Sequence, residues 1–194
     1  TIVAYNGVLQ LLHEDDYAAL KALYQNTDGT NWKNSDGWDK WNFNSSIPPN
    51  TSIAKSWAGV SLSGNRVDSL VLYNNQLTGE IPKELGNLSN LKYLWLNGNQ
   101  LTGEIPNELG NLSNLWSLFL YSNKLTGEIP NELGNLSNLR SFWLYSNKLT
   151  GEIPQSVNNL SAYKRLNNPP YLKTDITDQS TTTNSVFNLN ISNN

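Results

Sequence analysis

Four glutamates recur once every 24 residues, at Glu80, Glu104, Glu128 and Glu152, each inside a repeated Thr-Gly-Glu-Ile-Pro stretch. Two carboxyl groups about 5–5.5 Å apart would suit a glycosidase that retains the configuration of its sugar. That chemistry needs two carboxylates in unlike surroundings, one of them with a raised pKa. Strict repetition gives every glutamate nearly the same neighbours. We therefore predict a solvated acidic ridge with no catalytic residues, and no enzymatic activity.

Other chemistry is also poorly supported by the residue types. The chain has no cysteine, which excludes disulfides, thiolate metal sites and cysteine nucleophiles. The single histidine, His13, has no serine or cysteine motif as a partner, and we predict that it faces solvent. No phosphate-binding loop, dinucleotide fingerprint or nucleophile elbow is present. We expect no metal and no cofactor.

Charge and hydropathy exclude two classes of partner. The formal net charge is −3, and the 13 Lys and Arg residues are scattered along the chain. A nucleic-acid surface needs a basic stripe that displaces counterions from phosphates. No apolar run approaches the roughly 20 residues that cross a bilayer. We expect neither a nucleic-acid partner nor membrane insertion.

The glutamates belong to a larger repeat. The stretch "LTGEIPNELGNLSNL" begins at Leu101 and again, identically, at Leu125, and related versions begin at Leu77 and Leu149. A fixed period of 24 residues is typical of proteins in which identical structural units stack along one axis. Each unit exposes apolar surface that only its neighbours can bury.

Each unit begins with a strand pattern. Leu94 and Leu96 alternate with Tyr93, Trp95 and Asn97, the period of two that is typical of a short strand with one buried face. We expect an extended piece at 101–105 and a helical turn near 108–112 to complete the unit. Stacking then places equivalent residues in columns. The buried columns are Leu72, Leu96, Leu120 and Leu144; Ile81, Ile105, Ile129 and Ile153; and Asn75, Asn99, Asn123 and Asn147.

The asparagine column falls where each strand must turn. A buried side-chain amide there can pair with backbone groups that the turn leaves without partners, and we predict this structural role for it.

The repeated pattern "LxxLxLxxNxLTGEIP" resembles the plant-type subclass of leucine-rich repeat proteins, from Val67 to Leu166. The stretch "WAGVSLSGNRVDSLVL", from Trp57 to Leu72, is similar to the N-terminal cap of that family. The resemblance implies an α/β repeat solenoid with a parallel β-sheet on its concave face, short helical turns on its convex side and a helical N-terminal cap. It also implies protein or peptide binding, and an extracellular or cell-surface location.

The cap departs from the plant pattern. Plant members carry two cysteines around this segment, and Lys55 and Leu62 stand in their places. In this respect the chain looks more like bacterial or protist secreted members. Large buried rings must then hold the cap together by packing. The candidates are Trp32, Trp38, Trp41 and Trp57.

These patterns predict three segments. Residues 1–66 would form an N-terminal tail and capping region, with a helix at about 15–26 and tryptophan-rich loops. Residues 67–170 would form a solenoid of about four to five repeats, ended by Pro169 and Pro170. Residues 171–194 would form a C-terminal tail with a strand at about 186–191. That strand could cover an open sheet edge or begin a further domain.

The residues between the buried leucines should face solvent from the concave sheet, and many of them are aromatic. Neighbouring strands lie about 4.8 Å apart, so these rings should form two adjacent columns. We predict that they bind the ligand together with two bordering lysines. The candidate residues are Val71, Trp95, Phe119 and Trp143 in one column; Tyr73, Asn97, Tyr121 and Tyr145 in the next; Tyr93 beside them; and Lys124 and Lys148 at the border.

Three interpretations of this surface remain open. Exposed aromatic patches tend to mark binding sites, and the family resemblance favours a protein or peptide ligand. Flat rings flanked by Asn, Ser and Gln would also suit a carbohydrate. A third reading is a structural or self-associating spacer, whose rings stabilise the sheet by cross-strand stacking or meet another copy of the chain.

Overall fold

The computed structural model describes residues 10–160 and 190–191. The predicted end of the solenoid near residue 170 and most of the predicted 186–191 strand lie outside these residues. The helices are α1 (Glu14–Asn26), α2 (Thr51–Ala54) and α3 (Gln155–Asn158). The strands are β1 (Val60–Ser63), β2 (Arg66–Val71), β3 (Tyr93–Trp95), β4 (Ser117–Phe119), β5 (Ser141–Trp143) and β6 (Asn190–Ile191).

The six strands form a sheet in sequence order. Strands β2 to β5 are parallel and pair residues 24 positions apart, so that Leu70, Leu94, Leu118 and Phe142 lie side by side. β1 pairs antiparallel with β2, with a bulge near Ser61, and β6 pairs antiparallel with β5. The parallel repeat sheet predicted from the sequence is confirmed.

Each repeat returns through a short 3-10 helix on the side away from the sheet, which we call the helical side. These helices are Lys83–Asn87, Asn107–Asn111 and Asn131–Asn135, each following a proline. Proline suits the position before a helical turn because it fixes the backbone and lacks an N–H. Further backbone bridges join Glu80 to Thr102, and the equivalent residues of later repeats, along the predicted extended piece.

Glycine sets how closely neighbouring repeats approach on the helical side. A Cβ added at Gly110 would lie 2.3 Å from the carbonyl oxygen of Glu132, and one at Gly86 would lie 2.3 Å from that of Glu108. Only a residue without a side chain fits there. The 3-10 helices can therefore stack directly on one another.

The asparagine column pairs with the backbone as predicted. In Asn99, Oδ1 accepts from the N–H groups of Asn75 and Leu77 at 2.9 and 3.1 Å. Its Nδ2 donates to the carbonyls of Leu72 and Leu96, both at 2.9 Å. Asn123 and Asn147 make three of these four bonds one and two repeats further on: Oδ1 accepts from the N–H of Leu101 or Leu125, and Nδ2 donates to two leucine carbonyls. Each amide thereby connects two adjacent repeats.

Packing of large rings holds the cap, as predicted for a cap without disulfides. Trp38 and Trp57 are almost fully buried and stack 4.9 Å apart. Trp32 is also buried, whereas Trp41 is half-buried and donates from Nε1 to the Tyr17 hydroxyl at 3.1 Å. Phe43, which the sequence reading did not single out, packs 5.2 Å from Trp57.

A buried ion pair joins the cap to the first repeat. Asp16 on α1 is fully buried and accepts from Arg66 Nε and Nη2 at 3.0 and 2.7 Å. Its other oxygen accepts from the backbone N–H of Val67. His13, expected to face solvent, has a side chain that is 35% exposed, and it is also the N-cap of α1, with Nδ1 accepting from the Asp15 N–H at 3.3 Å. An exposed helix N–H otherwise lacks a partner, which explains this role.

Replacing Asn99→Ala should lower the free energy of unfolding by about 3 kcal/mol, because several buried backbone groups would lose their partners. The exposed Asn107, at the start of a 3-10 helix, offers a matched control, and Asn107→Ala should change stability little. Urea unfolding followed by circular dichroism measures both. Equal stability of the two variants would contradict the structural role of the column.

Replacing Gly110→Ala should cost about 1–3 kcal/mol of stability, because the new methyl group would force adjacent repeats apart. Ser113→Ala, at an exposed position in the same repeat, adds no volume and serves as the control. Differential scanning calorimetry measures both. If Gly110→Ala melts at the same temperature as the wild type, the space between the repeats can hold a methyl group and the prediction is wrong.

Candidate functional site

The solvent-facing side of strands β3 to β5, which we call the sheet face, carries two columns of stacked rings. In the first column the ring centroids of Trp95 and Phe119 are 5.2 Å apart, and those of Phe119 and Trp143 are 4.3 Å apart. In the second column the centroids of Tyr121 and Tyr145 are 4.6 Å apart. All three pairs are close to parallel. We call these five rings the aromatic ladder.

Strand register and a small neighbouring residue position the rings. Pairing of Trp95 with Phe119, and of Phe119 with Trp143, places the first column in line. Ser117 is buried, and its Oγ accepts from the Trp95 indole N–H at 2.9 Å. A larger residue at position 117 would occupy the space that the indole uses.

Stacking determines which parts of the rings remain available. Both faces of Phe119 are covered, by Trp95 on one side and Trp143 on the other. The ladder rings are half-buried, so mainly their edges are left for a ligand. Aromatic edges carry partial positive charge and the faces partial negative charge. The surface of the ladder is therefore suited to electron-rich groups.

The other predicted residues differ in accessibility. Tyr73 is 52% exposed and Val71 is half-buried. Asn97 is only 6% exposed, so the expectation that it lines the binding surface is corrected. Asn97 occupies the same column as Tyr73 and Tyr121 but has a much shorter side chain.

One group of residues adjoining the ladder was missed by the sequence reading. Tyr93 contacts Trp95 edge to face at 6.1 Å and Trp116 in the same way at 5.9 Å. Trp116 in turn lies between two cations, with Lys92 Nζ 5.5 Å and Arg140 Cζ 4.6 Å from its ring. Lys92, Trp116 and Arg140 share one column, at the same 24-residue spacing that identified the others. That spacing could have revealed them.

The predicted lysines form the opposite border. Lys124 and Lys148 are exposed and lie three residues beyond Tyr121 and Tyr145. Lys124 Nζ donates to Gln100 Oε1 at 3.1 Å. In residues 10–160 no carboxylate lies within 4 Å of either ammonium group. Cations therefore flank the ladder on both sides.

The two tyrosines of the ladder influence each other's chemistry. Burial raises the pKa of Tyr145 above the ordinary tyrosine value. Tyr121 adds to the rise through repulsion between the phenolates and through a hydrogen bond between the hydroxyls. The Tyr145 hydroxyl consequently keeps its proton to a higher pH than an ordinary tyrosine.

The helical side holds the predicted acidic ridge. Glu80, Glu104, Glu128 and Glu152 are all exposed. The first three line a shallow groove of about 1170 Å³, together with the Ile-Pro pairs that follow them. Within the described ranges no group of three or more acidic or histidine side chains is placed to hold a metal ion. The same residues include no helix long and apolar enough to cross a membrane.

Comparison with protein families supports the repeat architecture. A family model described as Leucine Rich Repeat matches residues 66–88, 90–112, 114–136 and 138–160. No curated protein matches the chain.

Solved structures of plant receptors share the fold. The ectodomain of the membrane receptor kinase GASSHO1/SCHENGEN3 from Arabidopsis thaliana, in complex with CASPARIAN STRIP INTEGRITY FACTOR 2, is 37% identical, with a TM-score of 0.61 over 75% of this chain and 17% of that chain. The PEPR1-AtPEP1 structure is 29% identical, with a TM-score of 0.61 over 75% of this chain and 20% of that chain. The ectodomain of the receptor kinase SOBIR1 from Arabidopsis thaliana is 29% identical, with a TM-score of 0.57 over 78% of each chain. The present chain spans about a fifth of the first two proteins.

The raised pKa of Tyr145 predicts a specific alkaline response. Because the folded pKa lies above the unfolded one, the stabilisation is complete below about pH 10 and is lost as the pH rises through the folded pKa. Tyr145→Phe should therefore make the free energy of unfolding less sensitive to alkaline pH. Urea unfolding over a pH series measures this, with Tyr73→Phe as a control outside the pair. An alkaline sensitivity of Tyr145→Phe equal to that of the wild type would contradict the prediction.

Proposed function

The chain belongs to the leucine-rich repeat family, and on this premise we propose that it is a non-catalytic recognition module that binds a protein or peptide through the aromatic ladder. Two of the similar structures are complexes, PEPR1 with AtPEP1 and GASSHO1/SCHENGEN3 with CASPARIAN STRIP INTEGRITY FACTOR 2. The GASSHO1/SCHENGEN3 and SOBIR1 structures are of receptor ectodomains, and we extend that extracellular or cell-surface location to this chain.

The observation that carries the proposal is the stacking of five half-exposed rings on one rigid sheet. Parallel strands fix the position of every ring, and each ring is held by its neighbours at 4.3–5.2 Å. Because the rings are already ordered, a ligand need not immobilise them when it binds. Tryptophan and tyrosine are also the residues that most often dominate binding energy at protein interfaces.

The same stacking argues against a carbohydrate ligand. A sugar ring packs against an open aromatic face, and in the ladder each ring has at least one face covered by another ring. Phe119, at the centre, has no open face. The edges and the Tyr hydroxyls that remain suit the carbonyl and carboxylate groups of a peptide. We therefore assign Trp95, Phe119, Trp143, Tyr121 and Tyr145 as the energetic centre of a peptide-binding surface.

Peptides selected from a displayed random-sequence library on the intact chain provide the ligand for a test. Trp95→Ala and Tyr121→Ala should each weaken the selected peptides by about 30-fold, the loss expected at an interface hot spot of about 2 kcal/mol. Ile47→Ala is the matched control, because Ile47 is 64% exposed and lies in the cap rather than on the sheet face. Titration calorimetry measures the affinities, and circular dichroism verifies that each variant is folded.

Three other results would replace the proposal. Equal affinity of the selected peptides for the ladder variants and the wild type would place peptide binding elsewhere. Oligosaccharides that bind on a glycan array, and lose binding in Trp95→Ala, would establish the carbohydrate reading. Light scattering that shows a dimer in the wild type and a monomer in Trp95→Ala would establish self-association through the ladder.

A further inference from the structure

The charges of the repeats are divided between the two sides of the solenoid. Between residues 67 and 160, seven glutamates and a single cation, Lys83, lie on the helical side. Four cations and a single carboxylate, Asp68, lie in the columns that border the ladder. The chain as a whole carries a formal charge of −3. The sheet face is therefore locally positive on a protein whose net charge is negative. The four are Lys92, Lys124, Arg140 and Lys148.

These cations form one border on each side of the ladder. Lys92 and Arg140 contact opposite sides of Trp116, which connects through Tyr93 to Trp95. The Lys92 ammonium group has three N–H donors and can contact the ring of Trp116 while it donates a hydrogen bond to a ligand. Lys124 and Lys148 occupy equivalent positions in adjacent repeats on the opposite border.

The arrangement of Lys124 and Lys148 has an energetic cost in the free protein. The two lysines follow strands β4 and β5 at equivalent positions in adjacent repeats, and like charges at neighbouring positions repel each other. Among residues 10–160, no carboxylate approaches Lys92, Lys124 or Lys148 closely enough to form an ion pair. An anionic ligand would relieve this repulsion between the lysines, so the charges on the sheet face favour an acidic partner.

From these observations we propose that the ladder recognises an acidic peptide segment, with carboxylates directed to both cationic borders and apolar or aromatic side chains against the rings. The inference rests on the proposed function and specifies its ligand. The ring edges exposed between the borders carry partial positive charge and so extend the favourable surface across the whole face. The glutamates of the helical side repel the same ligand, which restricts an acidic segment to the sheet face.

The composition of the selected peptides is the first measurement. Asp and Glu should be enriched in peptides selected on the intact chain compared with the starting library. The double variant Lys124→Gln/Lys148→Gln should bind them about five- to tenfold more weakly, as expected for two exposed charge pairs. Lys83→Gln removes one cation from the helical side and is the matched control, which should bind like the wild type. Raising the ionic strength to about 1 M should remove most of the difference between the double variant and the wild type.

The outcomes separate this inference from the proposed function. Peptides that depend on Trp95 but show no enrichment of acids, or that bind the double variant as well as the wild type, overturn the acidic ligand and leave peptide recognition intact. Peptides that do not depend on Trp95 overturn the proposed function itself. A heparin oligosaccharide provides the competing probe: if it binds more tightly than the acidic peptides and loses binding in the double variant, the anionic partner is a polysaccharide and the proposal is wrong.

Discussion

An asparagine in every repeat, buried at Asn75 and Asn99 and half-buried at Asn123 and Asn147, satisfies the backbone where the strand turns, and the stacking of the solenoid depends on this constraint. Asn99 connects carbonyls and N–H groups from two repeats with one side chain. Each of those groups would cost about 1–3 kcal/mol if it were buried without a partner. The amide therefore fixes where each strand ends and holds adjacent repeats in register. The chain continues this scheme into the cap, where the Asn75 side chain bonds both the N–H and the carbonyl of Asn34.

Fixed register separates the columns that fold the protein from those that can vary. Leucines, isoleucines and asparagines recur almost unchanged because each packs beside its own equivalent in the next repeat. The close-contact glycines recur because Gly86 and Gly110 each meet the backbone carbonyl of a glutamate in the next repeat. Side chains on the sheet face contact water rather than the core, so the residue types there can differ between repeats and can suit a ligand. Because the unit repeats along the solenoid, a residue type favoured at one position recurs in the next units and forms a column. The ladder, its cationic borders and the acidic ridge all arise in this way from one repeated unit.

The sequence predicted those features that depend on one repeat and its translation. Strand alternation, the asparagine column and the tryptophans of the cap were all visible as local patterns. Contacts between unlike residues were not visible. Asn97 is buried although it lies in a column with tyrosines, and Asp16 meets Arg66 across a separation of 50 residues. The helical turn near 108–112 is a 3-10 helix at Asn107–Asn111. The cationic sandwich around Trp116 required knowledge of ring contacts as well as spacing.

The antiparallel strands at the two ends of the sheet have a consequence for assembly. In a sheet of parallel repeats, the end strand has an unpaired edge that resembles the edges paired in the interior. A second molecule could add its own repeats to that edge, and repeated addition would produce a filament. Here β1 and β6 occupy those positions and run in the opposite direction, and β1 also carries a bulge. An incoming repeat would find neither the direction nor the register that its own strand requires. The antiparallel strands thereby oppose end-to-end polymerisation of the repeat sheet.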